Sequence, residues 1–364
     1  MKNRKSSFNP AGLALPLLAV LLGSLALSCA KKTVAADAEP MTIIYNSNVL
    51  TIPIVAVARE RHYFEEEGLD PEFIILASGA IEALSIGKAD IMLTGIIPSL
   101  SYAAQGADVK VIGGTISGGN FAITRPENRA KYARLEDWRG ARLGTVRLST
   151  SEMVSRFALG QIGLNTDASS QNQDVTFVEI ENYPNIIEGV RKGQVDIGFV
   201  SYEYRQAVED LGLTILFPMT SMYPNYVCCR ETAYTKSLET KRSIFVKFLQ
   251  AQIRAFKEFV EKPDDTVALI ARLSSQEPDF VRNALYDPDR SAGRTYHPDP
   301  DLRRVRDVYA TLQEHNYIPL GLAVEDVLDY TLYQDALQNI LERYPDDPFY
   351  RQLARDFEFN NLNL

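Results

Sequence analysis

Three histidines, three cysteines and one tryptophan are present in 364 residues. His62, His297 and His315 show neither a metal-ligand spacing nor an evident catalytic triad. No glycine-rich loop ends in Lys-Ser or Lys-Thr to cradle a phosphate. Basic residues form no run beyond the first few positions, and the net charge of −9 argues against a nucleic-acid partner. No second long apolar stretch follows the N-terminal one, so the body reads as a soluble domain. Nor is there a disulfide framework. Cys228 and Cys229 are adjacent, and consecutive strand residues point to opposite faces, so the pair reads as unbridged apolar residues of a strand. These gaps leave no sign of catalytic machinery, a cofactor or a metal.

The N-terminus is a separate object. Lys2, Arg4 and Lys5 precede an apolar stretch of 17 residues, Ala11–Leu27, interrupted by Pro16 and Gly23. It is short for a membrane span and reads as a secretory signal, residues 1–28, in preference to an uncleaved anchor. Its end, "LALSCA", resembles a bacterial lipobox, with Ala26 where leucine is more usual. This implies lipidation at Cys29 and favours a lipid-anchored, extracytoplasmic protein over simple secretion. Cleavage removes three positive charges and leaves the mature chain at −12. Residues 29–40 are small and polar, as a tether would be.

The remainder has an ordinary globular composition, 46% hydrophobic and 23% charged, and a length that suits two domains or two lobes. Short β-rich runs alternate with helical spacings from "MTIIYNS" to "LTILFP", which predicts βαβ units and a largely parallel sheet. From about Ser237 the pattern turns helical, beginning with the amphipathic "SIFVKFLQAQIRAFKEFVEK". A single phrase occurs twice within the alternating region. Set Ile81 against Ile187, an offset of 106; Glu82 then meets Glu188, Gly87 meets Gly193, Asp90 meets Asp196 and Ile91 meets Ile197. Any helix–Gly–strand unit would explain the glycine and the apolar positions. The shared Glu, Asp and element order point to two equivalent lobes, whose loops would face each other across a ligand cleft able to close.

Within this pattern "IPIVAVARERHYFEEEGLDPEF" resembles the opening of the periplasmic substrate-binding proteins of nitrate, sulfonate and taurine transporters, a family shared with binding proteins for a thiamine pyrimidine precursor. Pro53, Ala58, Tyr63, Phe64, Glu67, Gly68, Leu69 and Asp70 fit, and His62 replaces the usual glycine. "SGAIEALSIGKADIMLTG" and "LEDWRGARLGTV" resemble two further family blocks, and the likeness covers about residues 42–260. It implies a type II periplasmic-binding fold, α/β, with two doubly wound lobes joined by a two-strand hinge and C-terminal helices on lobe one. Lobe one would comprise 41–122 and the return 224–364, and lobe two 123–223, with crossings near Phe121–Thr124 and Tyr223–Val227. Partners would be a small-molecule ligand and an ABC permease with its ATPase; the chain would be a monomer, tethered to the membrane through Cys29.

Carried over by position, the first lobe offers Asn46, Asn48 and Leu50 after the first strand, Ser78 and Gly79 at the next helix start, and Thr94 and Gly95 after the third strand. The second lobe offers Ser149 and Thr150, then Tyr183, then Ser201, Tyr202 and Glu203; Thr115 and Tyr223 would line the hinge side. Plainer roles compete: Ser78 and Thr150 as helix caps, the asparagines as turn residues, Tyr183 and Tyr202 as surface packing, Glu203 as a solvated first-turn residue. The set is rich in tyrosine and hydroxyl and poor in positive charge. That tips the expectation from a small oxyanion towards a flat heteroaromatic, a pyrimidine or flavin, stacked between rings. The family also resembles a pyrimidine-precursor synthase, but Thr94 and Pro98 stand where that enzyme has its cofactor-bearing lysine and sacrificial histidine. A non-enzymatic binding protein is therefore expected. A surface sensor that reuses the fold without transport is the alternative.

Overall fold

In the computed structural model, which describes residues 37–45, 48–76, 79–167, 172–224 and 226–363, Gly87 and Gly193 share a left-handed backbone, φ +72° and +71°. Glycine accepts this conformation at no steric cost. Three residues later each copy places its aspartate in the same task. Asp90 accepts the backbone N–H of Thr42 at 3.0 Å, and Asp196 that of Arg142 at 2.9 Å. Each carboxylate thereby ties the start of one strand to a parallel neighbour. The duplicated phrase is a duplicated fold unit.

The first lobe is built from β1 (Glu39–Tyr45), α1 (Pro53–Glu60), α2 (Tyr63–Glu66), β2 (Leu69–Ile75), α3 (Ala80–Ser85), β3 (Ile91–Gly95), α4 (Ile96–Ala104) and β4 (Val109–Ser117). The second holds β5 (Asn120–Thr124), β6 (Arg142–Thr145), α5 (Thr150–Gln161), β7 (Thr176–Glu179), α6 (Tyr183–Arg191), β8 (Ile197–Ser201), α7 (Arg205–Asp210) and β9 (Thr214–Pro218). The chain then returns through β10 (Val227–Tyr234) and α8 (Thr235–Thr240) to α9 (Arg242–Glu261), α10 (Pro263–Ser274) and α11 (Pro278–Tyr286). It ends with β11 (Thr295–Tyr296), α12 (Leu302–Glu314), α13 (Val324–Val327), α14 (Thr331–Arg343) and α15 (Pro348–Phe357).

The sheet orders are β11-β4-β10-β3-β1-β2 and β7-β6-β8-β5-β9. Removing β11 leaves the same order in both, and in each the one strand antiparallel to its neighbours crosses from the other half of the chain: β10 in the first sheet, β5 in the second. The first crossing is Gly118–Gly119, slightly before the expected 121–124, because Asn120 and Phe121 already pair with β8. The inner strands β3, β5 and β8 are largely buried on both faces, as crossover helices require, whereas the edge strands β2 and β7 keep exposed residues. In β5, Phe121 and Ile123 enter one core cluster and Ala122 another.

The C-terminal helices pack on lobe one. In α9, Ile244, Phe245, Phe248, Leu249, Ile253 and Phe256 recur at three- and four-residue spacing and bury one stripe. Phe248 stacks on Phe64 of α2 with ring centroids 5.4 Å apart. Each such side chain contributes roughly 1.5–3 kcal/mol by leaving water. Among the described residues no helix is long and apolar enough to cross a membrane. The signal sequence and Cys29 lie outside the described residues.

Candidate functional site

Contacts between the lobes gather where β1, β3, β6 and β8 end and where β5 and β10 begin, the place doubly wound sheets reserve for ligands. Glu203, just after β8, is the centre of one group. Its carboxylate accepts from Asn48 Nδ2 of lobe one at 3.0 Å, from Ser201 Oγ at 2.6 Å and from Arg294 Nη2 at 2.9 Å. Asn48 is itself oriented by its Oδ1, which caps the N–H of Leu50 at 3.0 Å. Four of the expected residues, Asn48, Leu50, Ser201 and Glu203, are therefore joined by direct hydrogen bonds.

Arg294 was not among the expected residues, and it corrects the expectation of a site poor in positive charge. Its side chain is 2% exposed and that of Glu203 16%. The guanidinium lies 5.4 Å from the centre of the Tyr202 ring and, besides its bond to Glu203, makes long contacts of 3.4 Å each to Leu50 O, the Tyr296 hydroxyl and Ser201 Oγ. Arg294 Nε has no hydrogen-bond partner. Burial opposes the charge, but Tyr296 and Glu203 outweigh it and hold the group above the ordinary arginine value. Gly119, at φ +93°, makes this approach feasible, since a Cβ there would lie 2.5 Å from Arg294 Nε. The paired glycines in "SGGN" were the available sequence signal for a close approach of this kind.

A second group surrounds Asn120 at the start of β5. The Tyr226 hydroxyl donates to Asn120 Oδ1 and accepts from its backbone N–H, both at 3.1 Å. Tyr183 reaches the same asparagine; burial drives its hydroxyl pKa well up, with Cys228 and Glu203 adding to the effect. Thr150 Oγ1 donates across the lobes to Cys228 O at 3.3 Å. The cysteines correct a second expectation. The ladder of β10 slips register on both sides of Cys229, and this irregularity turns adjacent side chains to one side. Their sulfurs are 3.6 Å apart, and both residues are only partly buried. Tyr183, Cys228 and Cys229 all keep accessible surface at this boundary between the lobes.

The other expected residues divide. Thr94 and Gly95 end β3 opposite Arg230 and Cys229, partly accessible and beside the cysteines. Ser149 caps α5 through Glu152 N at 3.2 Å. Leu50 is buried and offers only its carbonyl. Tyr202 is 1% exposed and enters the core of lobe one, 5.6 Å from Phe280 of α11, so it plugs the interface instead of lining a surface. Tyr223 lies over Phe157, ring centroids 4.8 Å apart, in a narrow apolar gap between α4, α5 and α12. Thr115 is buried inside β4, and Gly79 is exposed. Asn46 and Ser78 lie outside the described residues. Among the described residues no group of three or more His, Cys, Asp or Glu could hold a metal ion.

A family model described as NMT1/THI5 like matches residues 50–266. Curated relatives include a Brucella abortus protein assigned no further than "binding protein", 20% identical over 252 residues, covering 68% of this chain and 76% of its own. Similar solved folds include the nitrate-binding protein NrtA of Synechocystis PCC 6803, with TM-score 0.66, 11% identity and coverage of 84% and 89%. The aliphatic sulphonate binding protein SsuA of Escherichia coli gives 0.62, 17%, 79% and 91%. A desulfurization enzyme, DSZB, gives 0.58, 14%, 82% and 99%. These likenesses place the fold among periplasmic binding proteins.

Proposed function

This chain belongs to the NMT1/THI5-like family, and from that premise we propose that it is an extracytoplasmic solute-binding lipoprotein, anchored through Cys29, that delivers a small molecule to an ABC importer. The ligand class we propose is an uncharged heteroaromatic such as a pyrimidine or flavin. One observation carries this preference: the guanidinium buried between the lobes, Arg294, is already neutralised by Glu203. An oxyanion would have to displace that carboxylate. A flat neutral ring instead meets tyrosines, among them Tyr183 and Tyr204, whose centroids lie 5.4 Å apart, with amide and hydroxyl groups to read its edge. Thr94 and Pro98, where the resembling synthase has lysine and histidine, support binding without catalysis.

A second reading rests on Arg294 Nε, which lacks a partner. A sulfonate or nitrate that replaced Glu203 would satisfy it, and the structural neighbours named for those anions lend this reading weight. Thermal unfolding of the chain from Ala30 onward with pyrimidines, flavins, sulfonates and nitrate separates the two. Ligand at a hundred times its Kd adds about 2.7 kcal/mol by mass action. A raised midpoint with a pyrimidine or flavin is expected. A rise with an anion alone selects the second reading, and no rise with any compound overturns solute binding.

A further inference from the structure

We propose that Cys228 and Cys229 are a redox-active vicinal dithiol in the cleft wall, which closes reversibly to an intrachain disulfide. The inference does not rest on the ligand or the transporter. It begins from the irregular ladder at the head of β10. A regular strand would send adjacent side chains to opposite faces. Here the register slips between Val227 and Cys229 and again between Cys229 and Arg230, and the two sulfurs stand in van der Waals contact at 3.6 Å. A bulge of this kind re-aims a side chain and leaves the local ladder loose.

The surroundings suit exchange chemistry. Cys228 Sγ is 3.9 Å from Asn120 Oδ1, across the lobe boundary. The hydrogen bond from Cys229 lowers the pKa of the Cys228 thiol, and Arg294 helps to hold it down against the opposing effect of burial. Cys229 is displaced upward, first by its bond to Cys228 and then by burial. The pair therefore has an assigned nucleophile and an assigned resolving thiol. With a small-molecule disulfide as oxidant, the Cys228 thiolate attacks one sulfur, forms a mixed disulfide and releases one thiolate. That thiolate takes the Cys229 proton; the Cys229 sulfur then attacks Cys228 Sγ and expels the second thiolate, which takes a proton from water. The protein loses two protons and two electrons, and the oxidant becomes two thiols.

The product is labile by geometry. Neighbouring Cα atoms are about 3.8 Å apart, shorter than the range of about 4.4–6.8 Å usual for disulfides, and strained disulfides are the readily reduced, regulatory kind. Closure brings the sulfurs from 3.6 Å to about 2.05 Å and removes the thiol that faces Asn120, so the redox state changes the wall that a ligand meets.

The test uses the full chain with Cys29→Ser, which keeps two thiols, incubated with oxidised glutathione at neutral pH. The expected result is an intact mass lower by two hydrogens, loss of both titratable thiols and their recovery with dithiothreitol. Cys229→Ser, which keeps the attacking thiol, is expected to stop at a glutathione adduct, and Cys228→Ser to form that adduct more slowly. A two-thiol chain that keeps both thiols, stops at the adduct or forms a covalent dimer overturns the proposal. That readout needs neither single variant to fold.

Discussion

Glu231 sits in β10 with no accessible surface. One carboxyl oxygen accepts from Gln252 at 2.8 Å, and the other has no partner. Burial pushes its pKa up to about 8, against the pull of Gln252 and Arg230. The folded chain therefore holds this proton when the unfolded chain, near 4.5, has released it. The sign follows: this contribution to stability is complete below about pH 4.5, falls as pH rises and is spent above about 8. Glu231→Gln keeps the shape and removes the titration. Urea midpoints across a pH series are expected to coincide for variant and parent at low pH. By pH 9 the variant gains a few kcal/mol. A constant difference at every pH would refute the assignment. Nothing in "CCRETAY" marks this glutamate as buried, because its environment is made by a helix that arrives later in the chain.

At the scale of elements, the C-terminal helices are riveted to the first lobe by another glutamate. Glu67, after α2, accepts from Arg254 of α9 at 2.7 Å and from Arg343 of α14 at 2.6 and 2.9 Å. Burial raises its pKa, but the two arginines outweigh that and hold it below the usual carboxylate value. Its side chain is 4% exposed, whereas that of Arg343 is 41% exposed. Loss of a buried partner costs about 3–5 kcal/mol, and the solvent at Arg343 reduces this. Glu67→Ala is expected to lose roughly 2 kcal/mol, read as a lower urea midpoint with an unchanged slope. Glu67→Asp, too short to reach both arginines, should recover only a fraction of it. Elements of this kind were legible in sequence wherever the signal was local. The 3.6-residue stripe of α9, the glycine turns at 87 and 193 and the matching element order around the two copies all follow from short-range patterning. The bulge that aligns the cysteines did not, because it arises from pairing β10 between two strands whose positions the sequence states only indirectly. Arg294 was equally hidden. It lies in "DPDRSAGRTYHPDPD", where neither helical nor strand periodicity says which surface the residue faces.

At the scale of the whole molecule, the question is what keeps the lobes together. Tyr202 of lobe two is buried in the core of lobe one, and Arg294 and Glu203 pair beside it. Removing the carboxylate leaves Arg294 buried and unpaired, a state that costs about 3–5 kcal/mol. Unfolding is not the easiest escape. Parting the lobes about the Gly118–Gly119 crossing gives the guanidinium to water, and it sacrifices only the interface contacts. The cost of Glu203→Ala is therefore capped by the free energy of opening, and the variant is expected to appear as an opened molecule. Small-angle scattering should give it a larger radius of gyration than the parent. Its midpoint in urea should fall by less than the cost of an unpaired buried charge. The same logic separates the two partners. Arg294→Met removes the charge that needs water and keeps an apolar stem against Tyr202, so it leaves Glu203, with its hydrogen bonds from Asn48 and Ser201, closer to solvent and better satisfied. Arg294→Met is expected to open less than Glu203→Ala, and the double variant to resemble Arg294→Met. Equal radii for Glu203→Ala and the parent would mean that Tyr202 and the surrounding apolar contacts suffice for closure and that the ion pair only sets orientation.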